Sequence, residues 1–196
     1  MNASPDSSQP AISRTGSLRT VFLDRDGVVN EKMPEGSYVQ SLDQLHVLAG
    51  VPEAIGRLNR AGLRVLVVSN QRGVARGLYT VADVDAIHAE LQRHLAASGA
   101  HVDRFYFCPH NRNECNCRKP LPGMFEQAVV DFPEIAAATS VMIGDSLSDI
   151  EFGKRLGMLT VFIDGDPERQ QPGAEAAGEL ADWRCGSLAE AVEYFI

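Results

Sequence analysis

Short apolar runs recur along the chain: Val21-Phe22-Leu23, Leu63-Arg64-Val65-Leu66-Val67-Val68, Val102 to Phe107, Ser140-Val141-Met142-Ile143 and Leu159 to Ile163. Runs of this length, rich in β-branched and aromatic residues and bounded by turn signals, read as strands buried on both faces of a parallel sheet. Helical spacing fills the intervals. Val51 to Ala61 has Pro52 near its start, apolar residues at Val51, Ala54, Ile55 and Leu58, and Gly62 beyond its end. Thr80 and Asp83 suit a capping box, with Asp in the usual place of Glu, for a helix to about Ala97. Its buried stripe is Val81, Val84, Ile87, His88, Leu91 and Leu95, which assigns His88 and His94 to packing and surface. Met124 to Val130 reads as a helix, and another runs to Leu156, capped by Ser148 or Asp149. Asp164 to Glu179, polar with Gly and Pro, reads as a loop. A short strand near Trp183 and a helix from Leu188 close the chain. Strands alternating with helices predict right-handed crossovers and an α/β, Rossmann-like three-layer sandwich with a central parallel sheet.

Met1 to Ser17, rich in Ser, Pro and Asn without apolar periodicity, is expected to be a flexible tail. Residues 18–196 are expected to form one domain, since 196 residues with 44% hydrophobic content suffice for one sizeable core. Glu31 to Leu48 is a linker too small for a separate cap, which leaves the site open.

A net charge of -8 argues against a nucleic-acid surface, which needs a basic face to displace counterions. No run is long enough to span a bilayer, and the first residues lack a secretory pattern, so a cytoplasmic protein without membrane contact is expected; a monomer is the expected state.

The candidate chemistry starts where the first strand stops, at Asp24-Arg25-Asp26-Gly27. A strand ending in a tight turn delivers both carboxylates to the carboxyl edge of the sheet, where open α/β sheets hold ligands. Two aspartates there suggest a nucleophile, Asp24, and an acid/base, Asp26, beside a magnesium ion. Asp26 must be protonated to assist a leaving alkoxide, so an environment that raises its pKa is expected. Ser69 and Asp145 fall at other strand ends on that edge, and Lys119 lies in the loop beyond the third strand. Arg76 reads as a surface residue.

Cys108, His110, Cys115 and Cys117 offer three thiolates and an imidazole within one short loop. In a reducing compartment that grouping favours metal over a disulfide framework. Four such ligands close a tetrahedral shell, so a structural zinc ion is expected. Cys185 stands apart and reads as a small buried apolar residue.

Asp24-Arg25-Asp26-Gly27, Ser69-Asn70-Gln71, Arg118-Lys119-Pro120 and Gly144-Asp145-Ser146-x-x-Asp149 occur in the order of the haloacid dehalogenase-like phosphatases. With the cysteine loop, the chain resembles their zinc-containing branch, the heptose 1,7-bisphosphate phosphatases and histidinol-phosphatases, from about Thr20 to Ile163. The resemblance implies a capless fold of that family and an aspartyl-phosphate intermediate on Asp24. It places magnesium on the Asp24 carboxylate, the Asp26 backbone carbonyl and Asp145, and has Lys119 and the Ser69 hydroxyl stabilise the phosphoryl group. Glu35, Gly36, Ser37, Tyr38, Asn70, Gln71, Arg72 and Arg118 are implied as contacts to a small phosphorylated sugar.

The resemblance further implies hydrolysis of D-glycero-D-manno-heptose 1,7-bisphosphate to the heptose 1-phosphate, a step towards nucleotide-activated heptose for surface polysaccharide. Two departures bear on this. Only Asn111-Arg112-Asn113-Glu114 separate His110 from the Cys-x-Cys pair, a compactness closer to the histidinol-phosphatase form, and Ser146 stands where heptose bisphosphate phosphatases often have lysine. Histidinol phosphate is therefore the alternative substrate. A phosphoacceptor signalling domain and a zinc-dependent binding module are rivals from other classes; Asp26 speaks against the first and the intact carboxylate set against the second.

Overall fold

The computed structural model describes residues 17–34 and 36–196, so the expected tail through Gly16, and Glu35, lie outside the described residues. In chain order the elements are β1 (Thr20–Leu23), α1 (Val51–Arg60), β2 (Arg64–Asn70), α2 (Val81–Ala96), β3 (Arg104–Cys108), α3 (Gly123–Asp131), β4 (Ser140–Gly144), α4 (Leu147–Leu156), β5 (Leu159–Ile163), α5 (Ala174–Leu180), β6 (Trp183–Cys185) and α6 (Leu188–Glu193). The six strands form one sheet in the order β3-β2-β1-β4-β5-β6, every neighbouring pair parallel. This is the expected α/β, Rossmann-like arrangement.

Alternation along each strand divides the core between two faces. Val21, Leu23, Val65 and Val67 pack with Ile55, Leu58, Ile87 and Leu91 from α1 and α2. Phe22, Leu66, Val68 and Met142 face the other way, onto Met124 of α3 and Phe152 of α4. Burying one such side chain contributes roughly 1.5–3 kcal/mol relative to leaving it exposed. These central strands are therefore rigid supports for whatever their carboxyl ends carry. The order of connection reverses between β1 and β4, the place where a crevice opens above the strand ends.

Three expectations are corrected. Asp164 to Glu179 is not a continuous loop: after a short 3-10 turn, Ala174 begins α5, whose buried Ala174 and Ala177 pack with Ile150 and Phe162. Their small side chains carry too little apolar signal to stand out from the polar sequence. Val81 is 46% exposed because it opens α2 ahead of Val84, the first residue of that helix to be buried. The N-cap of α4 is Ser146, with Asp149 at the third helical position reaching back to it in a capping box. The box expected at Thr80 and Asp83 forms as predicted.

Candidate active site

β1 stays paired with β4 to its last residue, Leu23 opposite Ile143, and Asp24 extends the pairing by donating its N–H to Ile143 O at 2.9 Å. The Asp24 carboxylate is thereby fixed at the centre of the carboxyl edge. Lys119 reaches it from the loop after β3, its Nζ 2.8 Å from Asp24 Oδ1 and 2.6 Å from the carbonyl oxygen of Val68. Asp149 Oδ1 lies 2.6 Å from the same ammonium, within ion-pair distance but off the hydrogen-bonding direction.

Burial raises the pKa of Asp24 to about 6, against the pull of the Lys119 charge. Burial would lower that of Lys119, but the Asp149 and Asp24 carboxylates outweigh it and hold the ammonium above its ordinary value. A buried, charged lysine thus faces the candidate nucleophile.

Asn70 holds the lysine's backbone, accepting from Lys119 N at 3.0 Å and donating to Lys119 O at 3.1 Å. Gln71 is wholly buried, and its Nε2 donates to Ser69 Oγ at 2.7 Å and Asp26 Oδ2 at 2.9 Å. Both side chains are committed to holding other site groups. Ser69 is also buried, at the level of the strand end.

Asp26 departs from expectation more sharply. Burial by itself would raise its pKa, but the Arg25 guanidinium and hydrogen bonds from Asn30 and Gln71 bring it below the ordinary carboxylate value. Arg25 has no exposed surface and spans both Asp26 oxygens, with Nη2 at 3.0 Å from each. Asn30 Nδ2 adds a third donor at 2.9 Å from Oδ1. The expected raised pKa is thus replaced by a resting carboxylate, because the adjacent arginine folds inward against it.

Asp145 opens the turn after β4. Lys32 Nζ approaches its Oδ2 at 2.6 Å, while the buried Oδ1 has no hydrogen-bond partner among the described residues. Burial raises its pKa to about 7, with Lys32 opposing. Gly27, at φ +99°, makes room: a Cβ there would stand 2.0 Å from Asp145 Oδ2.

Carboxylate oxygens of Asp24, Asp145 and Asp149 lie within 4.8 Å of one another. Asp149 is occupied by Lys119 and by Ser146, whose N and Oγ lie 3.1 and 2.6 Å from Oδ2. Asp24 and Asp145, with the orphaned Oδ1, are the pair whose hard oxygens fit a small divalent cation.

The cysteine loop gathers as expected. Cys108 Sγ lies 3.4 Å from Cys115 Sγ and 3.8 Å from His110 Nδ1, and His110 Nδ1 lies 3.4 Å from Cys117 Sγ. The sulfur separation is far beyond a disulfide bond, and the four donor atoms, all within 4.8 Å, fit a tetrahedral zinc shell.

Of the expected sugar contacts, Gly36 and Ser37 are exposed and Tyr38 is half-buried, its ring 5.8 Å from that of Tyr79. Arg72 Nε donates to Asn111 Oδ1 of the cysteine loop at 3.1 Å. Arg118 carries a buried Nη1 without a hydrogen-bond partner among the described residues. Arg76 is exposed, as expected. A concavity of about 760 Å³ lies beside β3 and α3, lined by Phe105, Phe107 and Val130 and by Cys115 and Cys117 of the cysteine loop.

Sequence reasoning missed Arg25, Lys32 and Asp149 as members of the site. Asp149 was within reach, since its spacing from Ser146 marks both a capping box and the end of the quoted motif. Arg25, flanked by two aspartates, was a weaker signal, and Lys32 none.

Comparison with known proteins agrees with this geometry. A family model described as HAD-hydrolase-like matches residues 116–191. The D-glycero-alpha-D-manno-heptose-1,7-bisphosphate 7-phosphatase of Mycobacterium tuberculosis is 37% identical over 178 residues, covering 90% of this chain and 91% of that protein. The D-glycero-beta-D-manno-heptose-1,7-bisphosphate 7-phosphatase of Escherichia coli O6:H1 is 35% identical over 182 residues, covering 89% and 92%. Among solved structures, the D,D-heptose 1,7-bisphosphate phosphatase of B. bronchiseptica, complexed with magnesium and phosphate, superimposes with a TM-score of 0.80 at 35% identity, covering 90% of this chain and 97% of that one. Likeness at this level over nearly the whole chain shows that it belongs to the haloacid dehalogenase-like phosphatases, in the branch that contains the heptose-1,7-bisphosphate phosphatases.

Proposed function

We propose that this phosphatase hydrolyses D-glycero-D-manno-heptose 1,7-bisphosphate to the heptose 1-phosphate through an aspartyl-phosphate on Asp24. The observation that carries the reading is the convergence of Asp24, Lys119 and Asp145 on one strand edge. Asp24 attacks phosphorus and the sugar oxygen at carbon 7 departs, which divides a difficult hydrolysis into two steps. Lys119 and the Ser69 hydroxyl offset the charge on the transferring phosphoryl oxygens. Asp26 gives a proton to the departing alkoxide and takes one from the attacking water in the second step. Its resting carboxylate suits the second role; for the first, the approach of an anionic phosphate raises its pKa in the bound complex, as like charges do.

Magnesium would be held by Asp24, Asp145 and the Asp26 backbone carbonyl, and would neutralise the negative charge gathered there. Zinc held by Cys108, His110, Cys115 and Cys117 would be structural, closing the loop that leads into Arg118 and Lys119.

Arg72 and Arg118 favour a doubly phosphorylated sugar, because guanidinium forks match phosphate oxygens. The relatives' names point the same way, away from histidinol phosphate. Gly36, Ser37 and Tyr38, with Glu35, complete the sugar contacts.

Phosphate release from both anomers of the heptose bisphosphate, from histidinol phosphate and from simple sugar phosphates tests the reading. The heptose substrate should show the highest kcat/KM, and Asp24→Asn should abolish turnover while leaving the fold intact. Preferential hydrolysis of histidinol phosphate, or a long-lived phosphoprotein without turnover, would overturn it.

A further inference from the structure

Tyr79 stands outside the residues assigned above, yet it ends a hydrogen-bonded chain that reaches two of them. It lies in the segment between β2 and α2, with only 6% of its surface exposed, and its phenol donates to Gln71 Oε1 at 2.7 Å. The Gln71 carboxamide has two N–H hydrogens, and two acceptors wait for them: Ser69 Oγ at 2.7 Å and Asp26 Oδ2 at 2.9 Å. Turned over, the amide would set its oxygen lone pairs against the Asp26 carboxylate. Tyr79 satisfies Oε1 in the favourable orientation and so locks it.

The position of Tyr79 is itself constrained by two neighbours, Gly73 and Tyr38. A Cβ at Gly73 would fall 2.0 Å from Tyr79 Cε1, so the ring lies directly over that glycine. The ring of Tyr38 also packs near it, at 5.8 Å.

We propose that Tyr79 is a positioning residue of this phosphatase: through Gln71 it holds the Asp26 carboxylate, and with it the Ser69 hydroxyl, in the orientation used for proton and phosphoryl transfer. The inference rests on the roles given to Asp26 and Ser69 in the proposed function. Because Gln71 donates to Ser69 Oγ, the serine's own hydrogen is left to point at a phosphoryl oxygen. Without the tyrosine hydroxyl, Oε1 is left unsatisfied in a buried site, and the amide is free to rotate away from both acceptors.

The consequence depends on the leaving group. A sugar alkoxide needs a proton from Asp26, whereas p-nitrophenolate departs without one. In the metal-loaded protein, Tyr79→Phe should lower kcat for the heptose bisphosphate about five- to tenfold with little change in KM, and lower kcat for p-nitrophenyl phosphate clearly less. On an Asp26→Asn background, adding Tyr79→Phe should cost clearly less sugar phosphate turnover than it costs the wild type, the remainder being the share exerted through Ser69. Equal losses on both substrates, which is what a reduced folded fraction would produce, or fully additive losses in the double variant, would overturn the assignment. If the wild-type protein prefers another alkyl phosphate, the substrate reading fails by itself and the same contrast is run with that ester.

Discussion

Lys119 Nζ lies 2.8 Å from Asp24 Oδ1 across 95 positions of sequence, and neither residue is more than 9% exposed. Two charges removed from water at such a contact are costly to desolvate, and the cost is offset only when each finds several partners. Here the ammonium has Asp24, Asp149 and the Val68 carbonyl around it. The arrangement sets a cation beside the nucleophile before any phosphate arrives.

Lys119→Met should therefore both destabilise and inactivate. Removing one partner of a buried ion pair typically costs about 3–5 kcal/mol, because Asp24 and Asp149 would face each other unneutralised. Turnover should fall by about 10²- to 10³-fold. Urea unfolding and phosphate release measure the two effects, and an unchanged unfolding midpoint would show that the pair is not a buried charge cluster in solution.

His88 supplies a pH test of the packing between α2 and β3. Burial, then the Arg25 charge, pushes its pKa from 6.5 to about 3, with Asp26 opposing; its ring stacks on Phe105 at 4.6 Å. Between those values the unfolded chain binds a proton that the folded chain does not, so stability rises with pH there. The contribution of His88 is full above about pH 6.5 and is lost as pH falls towards 3. His88→Phe keeps a ring in place and removes the titration. Between about pH 7 and pH 5 it should lose roughly 2 kcal/mol less stability than the wild type. Parallel denaturation curves for the two proteins across this range would contradict the burial of a neutral imidazole.

Gly27→Ala tests the crevice between β1 and β4. At φ +99° an alanine is strained, and its Cβ would fall on the Asp145 carboxylate. Backbone strain of this kind costs about 1–3 kcal/mol, and a displaced Asp145 should weaken magnesium by roughly tenfold or more. Calorimetric titration with magnesium reads the affinity directly; wild-type binding in the variant would remove Asp145 from the ligand set.

Cys115→Ser tests the loop. The variant should hold less than stoichiometric zinc by elemental analysis and lose hydrogen-exchange protection from Cys108 to Lys119. Turnover should fall with it, since the same loop aims Arg118 and Lys119. Full activity in a zinc-free preparation would detach the loop's metal from the positioning of the site.

Much of the fold was legible because a sheet buried on both faces needs unbroken apolar strands, and those are visible in any window of the chain. β1 to β6 follow from that signal, and α1, α2, α3, α4 and α6 from the helical spacing between them. α5 did not, because two alanines suffice to bury it against α4. The motif residues were likewise legible as types and spacings, and Asp24, Lys119 and Asp145 do converge.

Taken by itself, the amino-acid sequence determined the parallel α/β architecture, the carboxylates at the end of β1 and the four candidate zinc ligands, because each is written in local pattern or short spacing. Only tertiary structure decided the protonation and partnership of those groups. Asp26 is held ionised by an inward-folded Arg25, Asp149 turns from a helix cap into a partner of Lys119, and Asn70 and Gln71 brace the site. Charge state and hydrogen-bond commitment depend on burial and on neighbours distant in sequence, which no local window contains.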